Sequence, residues 1–81
     1  MSEIKIIMPK LGLTMTKGTI TEWKKQEGKS VKKDEAIAVI ESEKIVTDIV
    51  APKDGILKKI LHNVGDEVPI GETIAIIESE E

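Results

Sequence analysis

The chain is built on two copies of one pattern, GTITEWKKQEGKSVKKDEAIAVIESE at residues 18–43 and GILKKILHNVGDEVPIGETIAIIESE at residues 55–80. The copies align without a gap, share 10 identities in 26 positions, and end on the same tetrapeptide, Ile-Glu-Ser-Glu. Two copies are too few to stack stably as a solenoid. The repeat therefore predicts one domain, residues 1–81, with internal pseudo-two-fold symmetry.

The apolar residues of the chain favour β-strands. There are 14 Ile and 6 Val, and β-branched side chains fit pleated sheets better than helices. No apolar spacing of three and four residues persists, so no helix is predicted. We predict an all-β domain in which two four-stranded antiparallel sheets pack face to face as a flattened barrel or sandwich. Its eight strands are predicted at residues 3–7, 19–24, 31–33, 36–41, 45–50, 56–61, 67–70 and 73–78.

Two sequence features refine this fold. Pro69 falls in the seventh predicted strand and has no backbone N–H to donate, which predicts that this strand lies at a sheet edge. The segment Glu-Ser-Glu-Glu at 78–81 is interpreted either as the start of an acidic linker or as a solvated chain end.

Composition excludes several classes of function. The 81 residues carry a net charge of −3, no Cys and a single His, which leaves no zinc site of the ordinary type. All 12 basic residues are Lys and Trp23 is the one aromatic residue, so nucleic acid is not an expected partner. The longest apolar run, residues 36–40, is far too short to span a membrane. No secretory leader is visible at the start, and we expect a cytoplasmic protein.

A very short turn joins the two copies. Ser42, Glu43 and Lys44 separate the predicted strands 36–41 and 45–50, and none of them is Gly or Pro. Such a connection forces a tight hairpin of a turn type open to ordinary residues, most simply type I. Lys44 would then project into water from a rigid tip. In a chain with 12 Lys this can be an ordinary surface charge, but the position suits an amine that a modifying enzyme acylates.

The sequence resembles the lipoyl domains of acyltransferase components of 2-oxoacid dehydrogenase complexes. The resemblance runs from about residue 4 to residue 77, and in that family the fold is a flattened eight-stranded barrel with quasi-two-fold symmetry. The residues that carry it are MPKLGLTM at 8–15, Gly18-Thr19-Ile20, Trp23, ESEKI at 41–45, APKDG at 51–55 and VGDEV at 64–68.

By this resemblance, Lys44 carries lipoic acid in amide linkage, attached by a lipoate ligase. The resemblance implies three further partner enzymes. A thiamine-diphosphate-dependent 2-oxoacid decarboxylase loads an acyl group onto the dithiolane, and an acyltransferase core passes that group to coenzyme A. A flavin-dependent dihydrolipoyl dehydrogenase then reoxidises the dithiol. The chain itself would supply no catalytic group, and the isolated domain is expected to be monomeric.

Residues near the lysine are expected to govern recognition by these enzymes. Glu43 and Ile45 stand where the family usually has Asp and Ala, which bears on turn geometry and on recognition by the lipoylating enzyme. The first loop, residues 10–17, aligns at the repeat offset with the strand after Lys44, and in the family it lies beside the modified lysine. Leu11, Gly12 and Leu13 are therefore candidates for contact with the decarboxylase. The alternative is that the two leucines merely pack over the end of the barrel.

Two other functions remain open from the sequence. Biotin carriers resemble this fold, but they use Met on both sides of the lysine, and here neither neighbour is Met. A module that has kept the fold without carrying a group is the second alternative. Catalysis by His62 or Ser42 is not expected, since neither stands in a nucleophile pattern.

Overall fold

The computed structural model describes residues 2–79, and within that range it contains eight β-strands and no helix. One antiparallel sheet has the strand order β1-β8-β6-β3 and the other β5-β4-β2-β7. The ladders do not close into a barrel, so the domain is a sandwich of two four-stranded sheets, which confirms the predicted all-β class. The strands are β1 Ser2–Ile7, β2 Lys17–Trp23, β3 Ser30–Val31, β4 Ala36–Glu41, β5 Val46–Val50, β6 Gly55–Ile60, β7 Glu67–Pro69 and β8 Thr73–Ser79.

All eight predicted strands are present, with small differences at their ends. β3 is shorter than predicted because Lys32 already belongs to a turn, where its N–H donates to the Glu35 carboxylate at 3.0 Å. β7 is an edge strand, as Pro69 predicted. Glu78 and Ser79 belong to β8, and the remainder of the expected linker, residues 80 and 81, lies outside the described range. No helix in residues 2–79 is long and apolar enough to cross a membrane.

The core lies between the two sheets and draws on both copies of the repeat. Ile and Val dominate it because the inward-facing positions of the strands are filled largely by β-branched side chains, which fit a pleated sheet. Packing of such side chains, each contributing about 1.5–3 kcal/mol on full burial, is what holds the sheets together. The buried apolar residues are Ile6, Met8, Ile20, Val31, Ile37, Ala38, Ile40, Ile49, Ala51, Leu57, Val68, Ile74, Ala75 and Ile77.

The pseudo-two-fold symmetry extends to the hydrogen bonds. Exchanging β1–β4 with β5–β8 converts one sheet order into the other. Met8 N–H donates to the Glu72 carbonyl at 2.9 Å, and Ala51 N–H donates to the Glu35 carbonyl at the same distance. The ion pair of Lys25 with Glu35 at 2.8 Å likewise has its counterpart in the other copy, where His62 Nε2 lies 2.6 Å from the Glu72 carboxylate.

The first loop breaks this symmetry, and the sequence alignment of that loop was wrong. The hydrogen bonds make Met8-Pro9 equivalent to Ala51-Pro52, so the counterpart of β5 is β1 and not residues 10–17. Seven residues, 10–16, lie between Pro9 and β2, whereas only Lys53 and Asp54 lie between Pro52 and β6. The first copy therefore has an extra segment that an ungapped offset could not reveal.

A cluster of three charged residues ties the strands of the first sheet together on its outer face. Glu3 of β1 and Glu78 of β8 lie directly opposite each other, where like charges are destabilising. Lys58 of β6 forms an ion pair with Glu3 and lies 3.5 Å from Glu78. Its hydrogen bond, and then its charge, hold the pKa of the Glu3 carboxyl below the ordinary value of 4.5, and the pair raises the pKa of Lys58.

Replacing Lys58 by Met is expected to destabilise the domain in a pH-dependent way. Because the folded-state pKa of Glu3 is lowered, the stabilisation from the pair is present above the ordinary carboxyl value and is lost as the pH falls through the folded value. The thermal midpoint of Lys58→Met should lie below that of the parent at neutral pH and converge on it as the pH falls below the folded-state pKa of Glu3. The control is Lys59→Met, since Lys59 has no ion pair within residues 2–79. A difference for Lys58→Met that stays constant with pH would contradict the prediction.

Candidate functional site

The turn between β4 and β5 is short and closed by its own backbone. β4 ends at Glu41 and β5 begins at Val46, and these two residues are paired across the hairpin. The Ser42 N–H donates to the Ile45 carbonyl at 2.7 Å, and the Ser42 hydroxyl lies 3.4 Å from the same oxygen. Asp34 is the one described non-glycine residue with positive φ, so Glu43 and Lys44 have ordinary φ values. The turn is therefore of a type that any residue can adopt, as its sequence requires.

Lys44 lies at the tip of this turn and is exposed. Within the described range it makes no ion pair, unlike Lys17, Lys25 and Lys58. The ladder on each side of the turn holds the position of its Cα, while the side chain stays unobstructed. A primary amine in this setting can be acylated by an external enzyme without any rearrangement of the fold.

A cavity of about 310 Å³, partly open to solvent, lies between the first loop and the lysine turn. The extra segment that breaks the symmetry forms one side, and the turn forms the other. Lys44 is itself part of the wall. The lining residues are Gly12, Thr14, Met15, Thr16, Lys17, Ser42, Glu43, Lys44 and Ile45.

The structure separates the three loop residues that the sequence grouped together. Leu11 is half-buried and packs against the core, which is the packing alternative considered above. Leu13 is 95% exposed, an extreme value for a large apolar side chain. Gly12 lies between them and lines the cavity, and its carbonyl accepts the Met15 N–H at 3.2 Å. Of the two leucines, Leu13 is the more accessible to another protein.

Sequence reasoning named Ile45 as a recognition residue but missed Val46, the apolar residue that follows it. Ile45 is 39% exposed and Val46, the first residue of β5, is 61% exposed. The signal that could have found Val46 is its alternation with the buried Ile49 along β5, which turns Val46 outward. Ile45, Val46 and Leu13 are thus exposed apolar residues on or next to the two segments that line the cavity.

Other parts of the molecule offer less chemistry. A larger cavity, about 680 Å³, lies along the edge of β3 and includes none of the turn residues. Both ring nitrogens of His62 lie close to carboxylates: Nε2 is 2.6 Å from Glu72, and Nδ1 is 3.4 Å from Asp66. Across residues 2–79, no three His, Asp or Glu side chains are grouped so that they could hold a metal ion.

Comparison with protein families finds a match over nearly the whole chain. The sequence model of the Biotin_lipoyl family, described as biotin-requiring enzyme, matches residues 4–77. The chain is 43% identical over 77 residues to the dihydrolipoyllysine-residue succinyltransferase component of the 2-oxoglutarate dehydrogenase complex of Staphylococcus saprophyticus. It is 46% identical over 74 residues to the dihydrolipoyllysine-residue acetyltransferase component of the acetoin cleaving system of Bacillus subtilis. These alignments cover 95% and 91% of this chain but 18% and 19% of the relatives, so the chain spans about a fifth of their length.

Two solved structures share the fold. The lipoyl domain of the 2-oxoglutarate dehydrogenase complex from Azotobacter vinelandii superposes with a TM-score of 0.80 at 36% identity, over 94% of this chain and 96% of that one. The urea carboxylase of Kluyveromyces lactis also superposes with a TM-score of 0.80, at 24% identity and over 6% of its length. The second likeness is one of fold alone.

Proposed function

The chain belongs to the biotin- and lipoyl-attachment family as a lipoyl domain, a non-catalytic carrier of covalently bound lipoic acid, and we propose that Lys44 is the residue to which the lipoyl group is attached. The observation that carries this assignment is an exposed amine, without an ion pair in the described range, at the tip of the turn that joins the two copies of the repeat. No other lysine occupies a comparable hairpin tip within residues 2–79.

The residues around Lys44 fit a lipoyl group. The amine is accessible for amide formation, and the adjoining cavity leaves space for a flexible chain beside it. When bound, the group supplies the reactive sulfur pair that this cysteine-free chain lacks. The protein contributes position: the paired strands β4 and β5 keep the attachment point fixed and clear of the sandwich.

We further propose that the domain serves an acyltransferase component of a 2-oxoacid dehydrogenase complex. The relatives named above support this, although the chain spans only about a fifth of their length. The proposed partners are a lipoate ligase, a thiamine-diphosphate-dependent decarboxylase, an acyltransferase core and a dihydrolipoyl dehydrogenase. Attachment of the arm would remove the charge of Lys44, so recognition of the loaded domain rests on the surface around it.

We propose that different residues of that surface are recognised by the lipoylating enzyme and by the decarboxylase. Glu43 and Ile45 flank the lysine on the turn and are positioned to be read by the lipoylating enzyme. Gly12 and Leu13 lie on the loop beside the turn and are proposed contacts for the decarboxylase, with Leu13 as the apolar anchor. Leu11 is withdrawn from this role because its side chain packs on the core.

The attachment site is tested by incubating the chain with a lipoate ligase, lipoate and ATP and mapping the product by tryptic mass spectrometry. A single lipoyl adduct on the peptide that contains Lys44 is expected. Parallel incubation with a biotin ligase and biotin tests the alternative carrier. An adduct on a different lysine, or faster biotinylation than lipoylation, would overturn the proposal.

Leu13→Ala is expected to weaken use of the loaded domain by the decarboxylase without affecting lipoylation. Burial of an exposed leucine at an interface contributes about 1.5–3 kcal/mol, which corresponds to a loss of roughly tenfold or more in kcat/KM for acyl transfer. The measurement compares reductive acylation kinetics of lipoylated parent and variant with the same decarboxylase. Lys10→Ala, an exposed change in the same loop, is the control. Equal kinetics for Leu13→Ala and the parent would remove Leu13 from the recognition surface.

A further inference from the structure

We propose that the cavity between the first loop and the lysine turn is a resting site for the lipoyl arm, so that the arm alternates between a docked and an extended state. This inference rests on the proposed attachment of the arm at Lys44. It concerns where the arm lies on its own domain when no partner enzyme is bound.

The first support is the position of the tether. Lys44 forms part of the cavity wall, together with Glu43 and Ile45 on its own turn. An arm attached there meets the cavity as an intramolecular ligand, at an effective concentration on the order of millimolar for a short flexible linker. A site with only millimolar intrinsic affinity is then about half occupied. The cavity can therefore hold the arm without preventing its release to a partner.

The second support is the size and composition of the cavity. Its volume of about 310 Å³ lies at the lower end of the range of small-molecule sites in proteins. Met15 and Ile45 give it apolar, polarisable surface suited to a hydrocarbon chain that ends in sulfur. Met15 packs against the core, and its sulfur accepts the Leu11 N–H at 3.1 Å, so this part of the wall is held in place.

The third support is the asymmetry of the scaffold. The two copies of the repeat match in strand order and hydrogen bonding, and the loop of residues 10–16 is the segment that the second copy lacks. This extra loop builds the far wall of the cavity beside Lys44. In the second copy the corresponding link is only Lys53 and Asp54.

Docking has a chemical consequence that can be measured. While the arm is docked, its dithiolane is partly screened from reagents in solution. A dithiolane on the domain should then react more slowly with a small reductant than free lipoamide does. At half occupancy with full screening of the docked state, the expected retardation is about twofold.

The direct test uses the unsubstituted chain, lipoylated on Lys44 and checked by peptide mapping before any further measurement. The chain is labelled with carbon-13 and the lipoyl group is unlabelled, so that isotope-filtered nuclear Overhauser effects report contacts between them. We expect contacts from the lipoyl methylenes to the methyl groups of Met15, Thr14 and Thr16. A correctly lipoylated chain that shows no such contacts overturns the resting site and leaves Lys44 attachment intact. Failure of lipoylation at Lys44 would instead be a failure of the proposed function.

A second test fills the cavity. Apart from Gly12 and its two chain neighbours, no residue has an atom within 4 Å of the position that a Cβ on Gly12 would take. Gly12 also lines the cavity, so Gly12→Leu adds a side chain there without a clash against another segment of the backbone. Reduction of the dithiolane by a water-soluble phosphine should be about twofold slower for the lipoylated parent than for free lipoamide, and Gly12→Leu should restore the free rate. Lys10→Ala, which does not line the cavity, should behave as the parent. Equal rates for parent and free lipoamide would overturn the inference.

Discussion

Exchanging Glu43 and Lys44 should reduce the initial rate of lipoylation by about two orders of magnitude or more, although the composition, the net charge and the turn length stay the same. The exchange moves the amine by one residue along a turn whose ends are held by the Glu41–Val46 pair and the Ser42–Ile45 hydrogen bond. Successive residues of a turn project in different directions, so the amine would leave the tip. An enzyme that positions this amine for acyl transfer then loses its alignment.

The measurement is the initial rate of lipoylation by a lipoate ligase, with product quantified by intact mass. Lys44→Arg keeps the charge but removes the reactive amine and should give no product. Glu43→Gln keeps the lysine in place and should retain most of the rate. Comparable rates for the exchanged variant and the parent would show that the turn does not position the lysine, and the proposed site would lose its main support.

Replacing Gly55 by Ala should cost about 3 kcal/mol of folding free energy, at the upper end of what overpacking a core costs. A Cβ at this position would lie 2.3 Å from the carbonyl oxygen of Glu78 and 3.0 Å from a methyl carbon of Ile77. The first of these atoms is backbone, and β6 and β8 are paired at this point. The clash can be relieved only by moving one strand of the sheet. A domain of this length has a total stability of roughly 4–12 kcal/mol, so the loss would be a large fraction of it.

Gly18→Ala is the matched comparison, because Gly18 is the counterpart of Gly55 in the first copy. There the added Cβ would meet Met8 Sδ at 2.8 Å and Met15 Cε at 3.1 Å, the far ends of two flexible side chains. We expect a loss of about 1 kcal/mol, since methionine repacks easily. Gly12→Ala, with open space around it, should change stability by less than about 0.5 kcal/mol. Urea unfolding followed by Trp23 fluorescence measures all three, and equal losses at Gly18 and Gly55 would contradict the argument.

Much of the fold could be predicted from the sequence because the local signals agreed with one another. The β-branched residues predicted the strands, and Pro69 predicted that its strand lies at a sheet edge; the structure contains both features. The repeat predicted the pseudo-two-fold symmetry, since the same pattern folded twice gives the same strand–turn–strand unit twice. Strand ends were less accurate, because side-chain hydrogen bonds such as that of Glu35 decide where a ladder stops.

The surroundings of the lysine were harder to predict from the sequence. An ungapped alignment matched residues 10–17 to the wrong segment, because strand pairing and not sequence offset makes Met8 the counterpart of Ala51. Leu11 and Leu13 are two residues apart and chemically identical, yet one packs on the core and the other is almost wholly exposed. Loops have no periodicity that would distinguish such neighbours.

Local pattern along the chain was thus enough to establish a doubled all-β domain and to single out Lys44, because strand propensity and turn length act between residues close in sequence. The cavity beside Lys44, the exposure of Leu13 and the backbone contact that forbids a side chain at Gly55 depend on segments that meet only after folding. Their cause is the packing of a loop against a distant turn and of one strand against another. No spacing within either segment encodes those distances, so they became visible only with the assembled sandwich.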